Sequence, residues 1–178
     1  MFNTKKIVKK LNKFLNIGTN VSCEKMKIEN KESDDISVRF KRNEEGKNEA
    51  VILYCNDITY LGNYAKSVHE RLGTFLENAG YEVKPEYIQL LLVLHQFGGV
   101  DFAKKVGDVD CQALHYLVSR HATNVLRNSL DEDDYDECLE EGIDIFTMLQ
   151  PDEMYADAYA IKNFIPALNH LREKGLIE

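Results

Sequence analysis

The sequence lacks most of the features that identify a small protein at sight. Its four cysteines, Cys23, Cys55, Cys111 and Cys138, are scattered, with no CxxC or CxxH pair, which argues against a structural zinc knuckle. They read as reduced, partly buried thiols of a cytoplasmic protein. There is no Gly-rich phosphate loop, no GxSxG elbow and no Cys–His pair with local support, so no motif selects nucleotide binding or nucleophilic hydrolysis. The apolar run Leu90–Leu94 is far too short to span a bilayer. Lys5, Lys6, Lys9, Lys10 and Lys13 lead into no apolar h-region and no small-residue cleavage site, so the N-terminus is not expected to be a signal peptide. No internal repeat and no low-complexity linker interrupts the chain.

What is present is an ordinary apolar content in 178 residues, enough for one domain that buries about 70% of its unfolded surface without a disulfide or metal staple. The expected layout is a single domain over 1–178, with an amphipathic helix in 1–18, a small sheet in 19–56 and a helical body in 57–178. Charge is uneven: residues 1–50 carry twelve Lys+Arg and eight Asp+Glu, and the rest carry ten and twenty-two, so a +4 segment precedes a −12 segment in a chain of net charge −8. The acidic portion is expected to repel nucleic acid and to suit a basic surface on another protein.

The centre of the sequence is Pro85–Gly99, PEYIQLLLVLHQFGG. Proline suits the first position of a helix, and Glu86 favours its positive dipole end. Apolar residues go nearly all the way round, which predicts a helix buried on most sides, and Gly98–Gly99 is expected to end it. Around it, Thr4–Asn16 places Ile7, Val8, Leu11, Phe14 and Leu15 on one face and lysines on the other. This predicts a helix packed on the body, the alternative being a membrane-surface helix. Gly18 is its expected stop.

Alternation in Val21–Glu29 and Ile36–Phe40 and the apolar run Ala50–Cys55 predict three strands, joined by short connections into an antiparallel sheet. From Asp57, a stripe from Ile58 to Leu76 predicts a helix closed by Gly80. Another helix, capped by Asp108 or Asp110, has Ala113, Leu114, Leu117, Val118, Val125 and Leu126 as its apolar side. The run Asp131–Glu141 holds eight acids in eleven residues: Asp131, Glu132, Asp133, Asp134, Asp136, Glu137, Glu140 and Glu141. Helical spacing continues to Leu149. The run reads either as a solvated face or as a phosphate-imitating patch that binds a protein partner. Pro151 opens the last helix, with Met154, Ala158, Ile161, Ile165, Leu168 and Leu171 as its stripe and a kink expected at Pro166.

That last helix begins PDEMYADAYAIKNFI, in which Glu153, Met154, Tyr155, Ala156 and Asp157 form an E-x-x-A-D pattern. With His95, Gln96, Phe97, Gly98 and Gly99 on the central helix, the chain resembles the gluzincin-type HExxH zinc metallopeptidases in their small Gram-positive and phage versions, over roughly residues 36–170. The resemblance implies an α+β, zincin-like fold: a small antiparallel sheet packed on a mainly helical body. It places His95, Glu153 and Asp157 where that family holds zinc. HExxH works because two imidazoles four residues apart share a helix face, while the intervening Glu activates a metal-bound water. Here Gly99 replaces the second imidazole, and Gln96 takes no proton at neutral pH. The site is therefore expected to be vestigial, with no cofactor, no bound zinc and no catalysis. In that case Glu153 pairs with His95 as a structural contact. His69, His115, His121 and His170 read as ordinary histidines.

Three functional readings follow: a non-catalytic metallopeptidase-like protein that works by binding another protein; a small acidic inhibitor from a phage or mobile element, acting on a basic nucleic-acid-handling defence protein such as a CRISPR nuclease; and a zinc hydrolase with an atypical site. No direct nucleic-acid binding and no membrane association are expected.

Overall fold

The computed structural model describes residues 3–17, 20–25, 36–42, 44–45, 48–54, 63–107, 117–118, 120–121, 124–125, 128 and 150–178. The elements in chain order are α1 (Thr4–Leu15), β1 (Asn20–Lys25), β2 (Ile36–Arg42), β3 (Asn48–Tyr54), α2 (Asn63–Asn78), α3 (Pro85–Val106) and α4 (Pro151–Glu173). This is an α+β architecture, mostly helical, with one three-stranded sheet.

The sheet is mixed, not antiparallel as the sequence suggested. Its order is β1-β3-β2, with β2 antiparallel to β3 and β1 parallel to it. The chain reverses direction between β1 and β2 and again between β2 and β3, so the first and third strands point the same way. Placing the third in the middle then makes the sheet mixed. β3 takes that place because it is the most apolar strand: Ala50, Val51 and Ile52 are all buried. Ile52 pairs with Cys23 on one side and Val38 on the other, and that face packs on the helical core.

α1 behaves as a packed helix. Asn3 caps it by accepting from Lys6 N at 3.0 Å, and Asn16, at φ +48°, ends it in the left-handed region. Gly18, the expected stop, lies outside the described residues. Ile7, Val8 and Leu11 are buried in the common core. α2 closes as expected at Gly80, whose φ of +76° lets Tyr81 N reach back to Leu76 O at 2.8 Å. The expected cap at Asp57 lies outside the described residues.

α3 is the buried axis. Tyr87, Ile88, six of the residues from Leu90 to Phe97, and Val100 lie in one apolar cluster with α1, the sheet, α2 and α4. It does not end at Gly98–Gly99: the helix runs on to Val106 and stops at Gly107, φ +93°. Gly98 serves packing instead. A Cβ there would come within 2.6 Å of Ala156 Cα and 2.9 Å of Tyr159 Cβ, so the two helices are in backbone contact.

That contact also sets which face of α4 is buried. Ala156, Ala160, Phe164, Ala167, Leu168 and Leu171 face the core, whereas Met154, Ala158, Ile161 and Ile165 of the expected stripe are exposed. Small side chains win the interior position because only they permit the close approach. α4 is continuous through Pro166. Most of the helix expected after Asp108 lies outside the described residues; of its apolar side, Leu117 and Val125 are exposed. Among the described residues no helix is long and apolar enough to cross a membrane.

Candidate functional site

α3 and α4 run antiparallel: Arg172 donates to Tyr87 OH at 2.6 Å near one end, and Tyr155 donates to Asp101 at 2.5 Å near the other. Between these ties, and beside the Gly98–Ala156 contact, lies His95. Glu153 and Asp157 are four residues apart on α4 and so share one helix face. Their carboxylates take the two sides of one ring: His95 Nδ1 is 2.9 Å from Asp157 Oδ1, and Nε2 is 3.1 Å from Glu153 Oε2. The three residues selected from the sequence are therefore brought together.

A fourth member was not anticipated. Arg71 of α2 donates from Nε to Asp157 Oδ2 at 3.0 Å, with its Nη2 2.9 Å from the same oxygen. Asp157 thus serves two cations, one with each oxygen, and ties three helices together. Nothing in the sequence around Arg71 distinguishes it from an exposed arginine, because its role depends on how α2 is turned against α4.

The electrostatics follow from this enclosure. His95 is buried, which by itself favours the neutral ring. The hydrogen bonds and charges of Asp157 and Glu153 outweigh that and push its pKa up to about 9. At neutral pH the ring is an imidazolium, with one N–H donated to each carboxylate. Burial would raise the Asp157 carboxyl, but His95 and Arg71 hold it below the usual carboxylate range.

Among the described residues the donor set does not fit a zinc ion. A catalytic zinc takes three protein ligands and keeps a fourth position open. Here Nδ1 is engaged by Asp157, which leaves one imidazole nitrogen and one carboxylate facing each other. Gly99 supplies no side chain, and a Cβ there would meet only Val38 Cγ1 at 3.7 Å. Gln96 is buried beside His95 on α3 and has no carboxylate to act as base. Among the described residues no group of three His, Cys, Asp or Glu is arranged to hold a metal.

The other histidines stay out of this cluster as far as they are described: His170 stacks on Phe14 with ring centroids 4.3 Å apart, and His121 is exposed. His115, the side chain of His69 and the acidic residues Asp131, Glu132, Asp133, Asp134, Asp136, Glu137, Glu140 and Glu141 lie outside the described residues.

A second polar cluster sits two turns along α3. Asp101 accepts from Tyr155 and pairs with Lys105 at 2.8 Å, and Lys105 also bonds Tyr155 and lies over its ring. Neither residue is singled out in the sequence, although the four-residue spacing of Asp101 and Lys105 is a local signal for such a pair; the part played by Tyr155 has no such signal. The cluster is a surface brace between the helices, parallel to the buried one. No protein-family model, curated protein or solved structure matches this chain.

Proposed function

We propose that the chain is a non-catalytic protein of zincin-like ancestry that acts by binding another protein. The observation that carries this reading is the contact of His95 with Glu153 and Asp157, made on a helix where Gln96 stands for the base and Gly99 for the second imidazole. The framework that would align an ion and a water is kept, while the groups that would bind and activate them are replaced. The charged cluster then serves as an internal clamp, and its partly buried ion pairs fix how α2, α3 and α4 meet.

The partner's chemistry follows from charge. The run Asp131–Glu141 and the −12 balance of residues 51–178 suit a basic protein surface. The same feature supports the second reading, a small inhibitor that occupies the nucleic-acid groove of a defence protein. Fold alone names neither.

Metal analysis of protein purified without chelators tests the central claim. We expect substoichiometric zinc and no zinc-dependent change in melting temperature. Stoichiometric zinc that is lost in Glu153→Ala would overturn the non-catalytic assignment. Pull-down with mass spectrometry then identifies the partner. Reversing four charges within Asp131–Glu141 is expected to abolish its capture, and unchanged capture would remove the acidic run from the interface.

A further inference from the structure

α1 carries a charge pattern that works against its own helix. Lys5, Lys6, Lys9, Lys10 and Lys13 are all exposed, and the helix contains no acidic residue. Lys5 and Lys6 occupy the first turn, where the helix dipole disfavours cations. Lys5 with Lys9, Lys6 with Lys10 and Lys9 with Lys13 are like-charge pairs one turn apart, a spacing that destabilises an isolated helix. Among the described residues none of the five forms an ion pair. The opposite face is committed to the core through Ile7, Val8 and Leu11, so the lysines have no inward alternative. Lys104, whose Nζ donates to Ile17 O at 2.6 Å, sets another ammonium just past the C-terminal end of α1. Among the described residues these repulsions meet no counter-charge, and the exposed face is open to an external anion.

We propose that this face binds the phosphate backbone of a nucleic acid without reading its bases. Lys5, Lys9 and Lys13 recur every four residues, about 6 Å along the axis, and form a row of point charges suited to a row of phosphates. The helix has no arginine for bidentate base contacts, and the ring of its one aromatic residue, Phe14, is already stacked on His170. A bilayer is the weaker fit. A basic amphipathic helix holds a membrane by burying its apolar face in the lipid, and here that face is inside the protein. Binding here departs from the expectation that the chain repels nucleic acid, which rested on the −12 balance of residues 51–178. Neither that balance nor the net charge of −8 forbids a local contact on α1, because charges more than about 8 Å away are screened at physiological salt. The net charge does predict that binding is weak and salt-sensitive. The proposal is independent of the His95 cluster.

Fluorescence anisotropy of the full chain with a labelled duplex of about 20 base pairs and arbitrary sequence is the test. If three to five phosphates are neutralised, log K against log salt has a slope between about −2.7 and −4.5. The triple variant Lys5→Gln, Lys9→Gln, Lys13→Gln is expected to bind at least about tenfold more weakly near 50 mM salt, with a shallower slope. Its melting temperature is expected to stay the same or rise, since repulsion is removed. The corresponding triple arginine variant is expected to keep the binding. No binding near 50 mM salt, or a glutamine variant with unchanged affinity and slope, overturns the proposal. So does binding to phosphatidylserine vesicles without binding to DNA, which assigns the face to a membrane instead.

Discussion

Gly98 lies against the backbone of Ala156, so closely that a Cβ at 98 would approach Ala156 Cα to 2.6 Å. This contact sets the separation of α3 and α4, and that separation puts both carboxylates of α4 within reach of the His95 ring. The charged cluster is thus a consequence of a packing choice made one turn away.

The two neighbouring glycines should respond oppositely to the same change. Gly98→Ala adds a methyl where there is no space, and overpacking of this kind costs about 1–3 kcal/mol. Gly99→Ala meets only Val38 Cγ1 at 3.7 Å and relieves a glycine in a helix interior, worth about 0.5–1 kcal/mol. Urea unfolding should show Gly98→Ala with a lower midpoint than the wild type and Gly99→Ala at or above it. Equal effects would mean that the close approach does not govern the packing.

The pKa of His95 makes a prediction about pH. Burial alone would lower it, yet the paired carboxylates raise it from 6.5 to about 9, so the native state holds a proton that the unfolded chain releases. The resulting stability is complete below pH 6.5 and is lost as pH rises through about 9. Asp157, held low by His95 and Arg71, contributes in the opposite sense: its share is present at neutral pH and is lost on acidification. Denaturant midpoints measured from pH 6 to 9.5 should fall on the alkaline side by the equivalent of a few kcal/mol. His95→Gln should flatten that limb. A variant with the same alkaline decline as the wild type would show that another group is responsible.

The parts of this arrangement that were legible in the sequence are those carried by local spacing. Pro85 and an all-round apolar pattern are enough to read α3 as a buried helix, and the spacing of Glu153 and Asp157 puts both on one face whatever the fold. Gly98 was misread because a glycine that ends a helix and a glycine that admits a neighbouring helix look alike in a sequence. The buried face of α4 was misread for the same reason: Ala156 and Ala160 are weaker hydrophobic signals than Met154 and Ile161, yet close packing prefers them. The mixed sheet and the part played by Arg71 depend on which elements become neighbours, and no local pattern encodes that.

Asp157 should matter more than Glu153, although both touch the same ring. Asp157→Asn leaves both His95 and Arg71 facing a neutral amide, and breaking a buried charge pair costs about 3–5 kcal/mol. Its side chain is 21% exposed, so the low end of that range applies. Glu153→Gln keeps a hydrogen-bond acceptor near Nε2 and leaves Asp157 in place, for a loss of about 1 kcal/mol. Combining His95→Ala with Asp157→Ala should cost less than the sum of the single changes. Strict additivity would mean that the two residues stabilise the fold separately and do not act as one clamp.

Restoring the two replaced groups tests the proposed ancestry directly. Position 99 is four residues from His95 and shares its side of α3, and a side chain there begins in ordinary contact with Val38. The double variant Gln96→Glu, Gly99→His would offer two imidazoles one turn apart on α3 together with Glu153 of α4, three ligands in the combination that a catalytic zinc site uses. Zinc has to displace the proton on His95 Nε2, so uptake should strengthen as pH rises toward 9. Competition against a chromogenic chelator should show one zinc per chain in the double variant and none after Glu153→Ala is added. A double variant that folds but takes up no zinc would leave the clamp intact as a structural device and remove the reason for regarding it as a former metal centre.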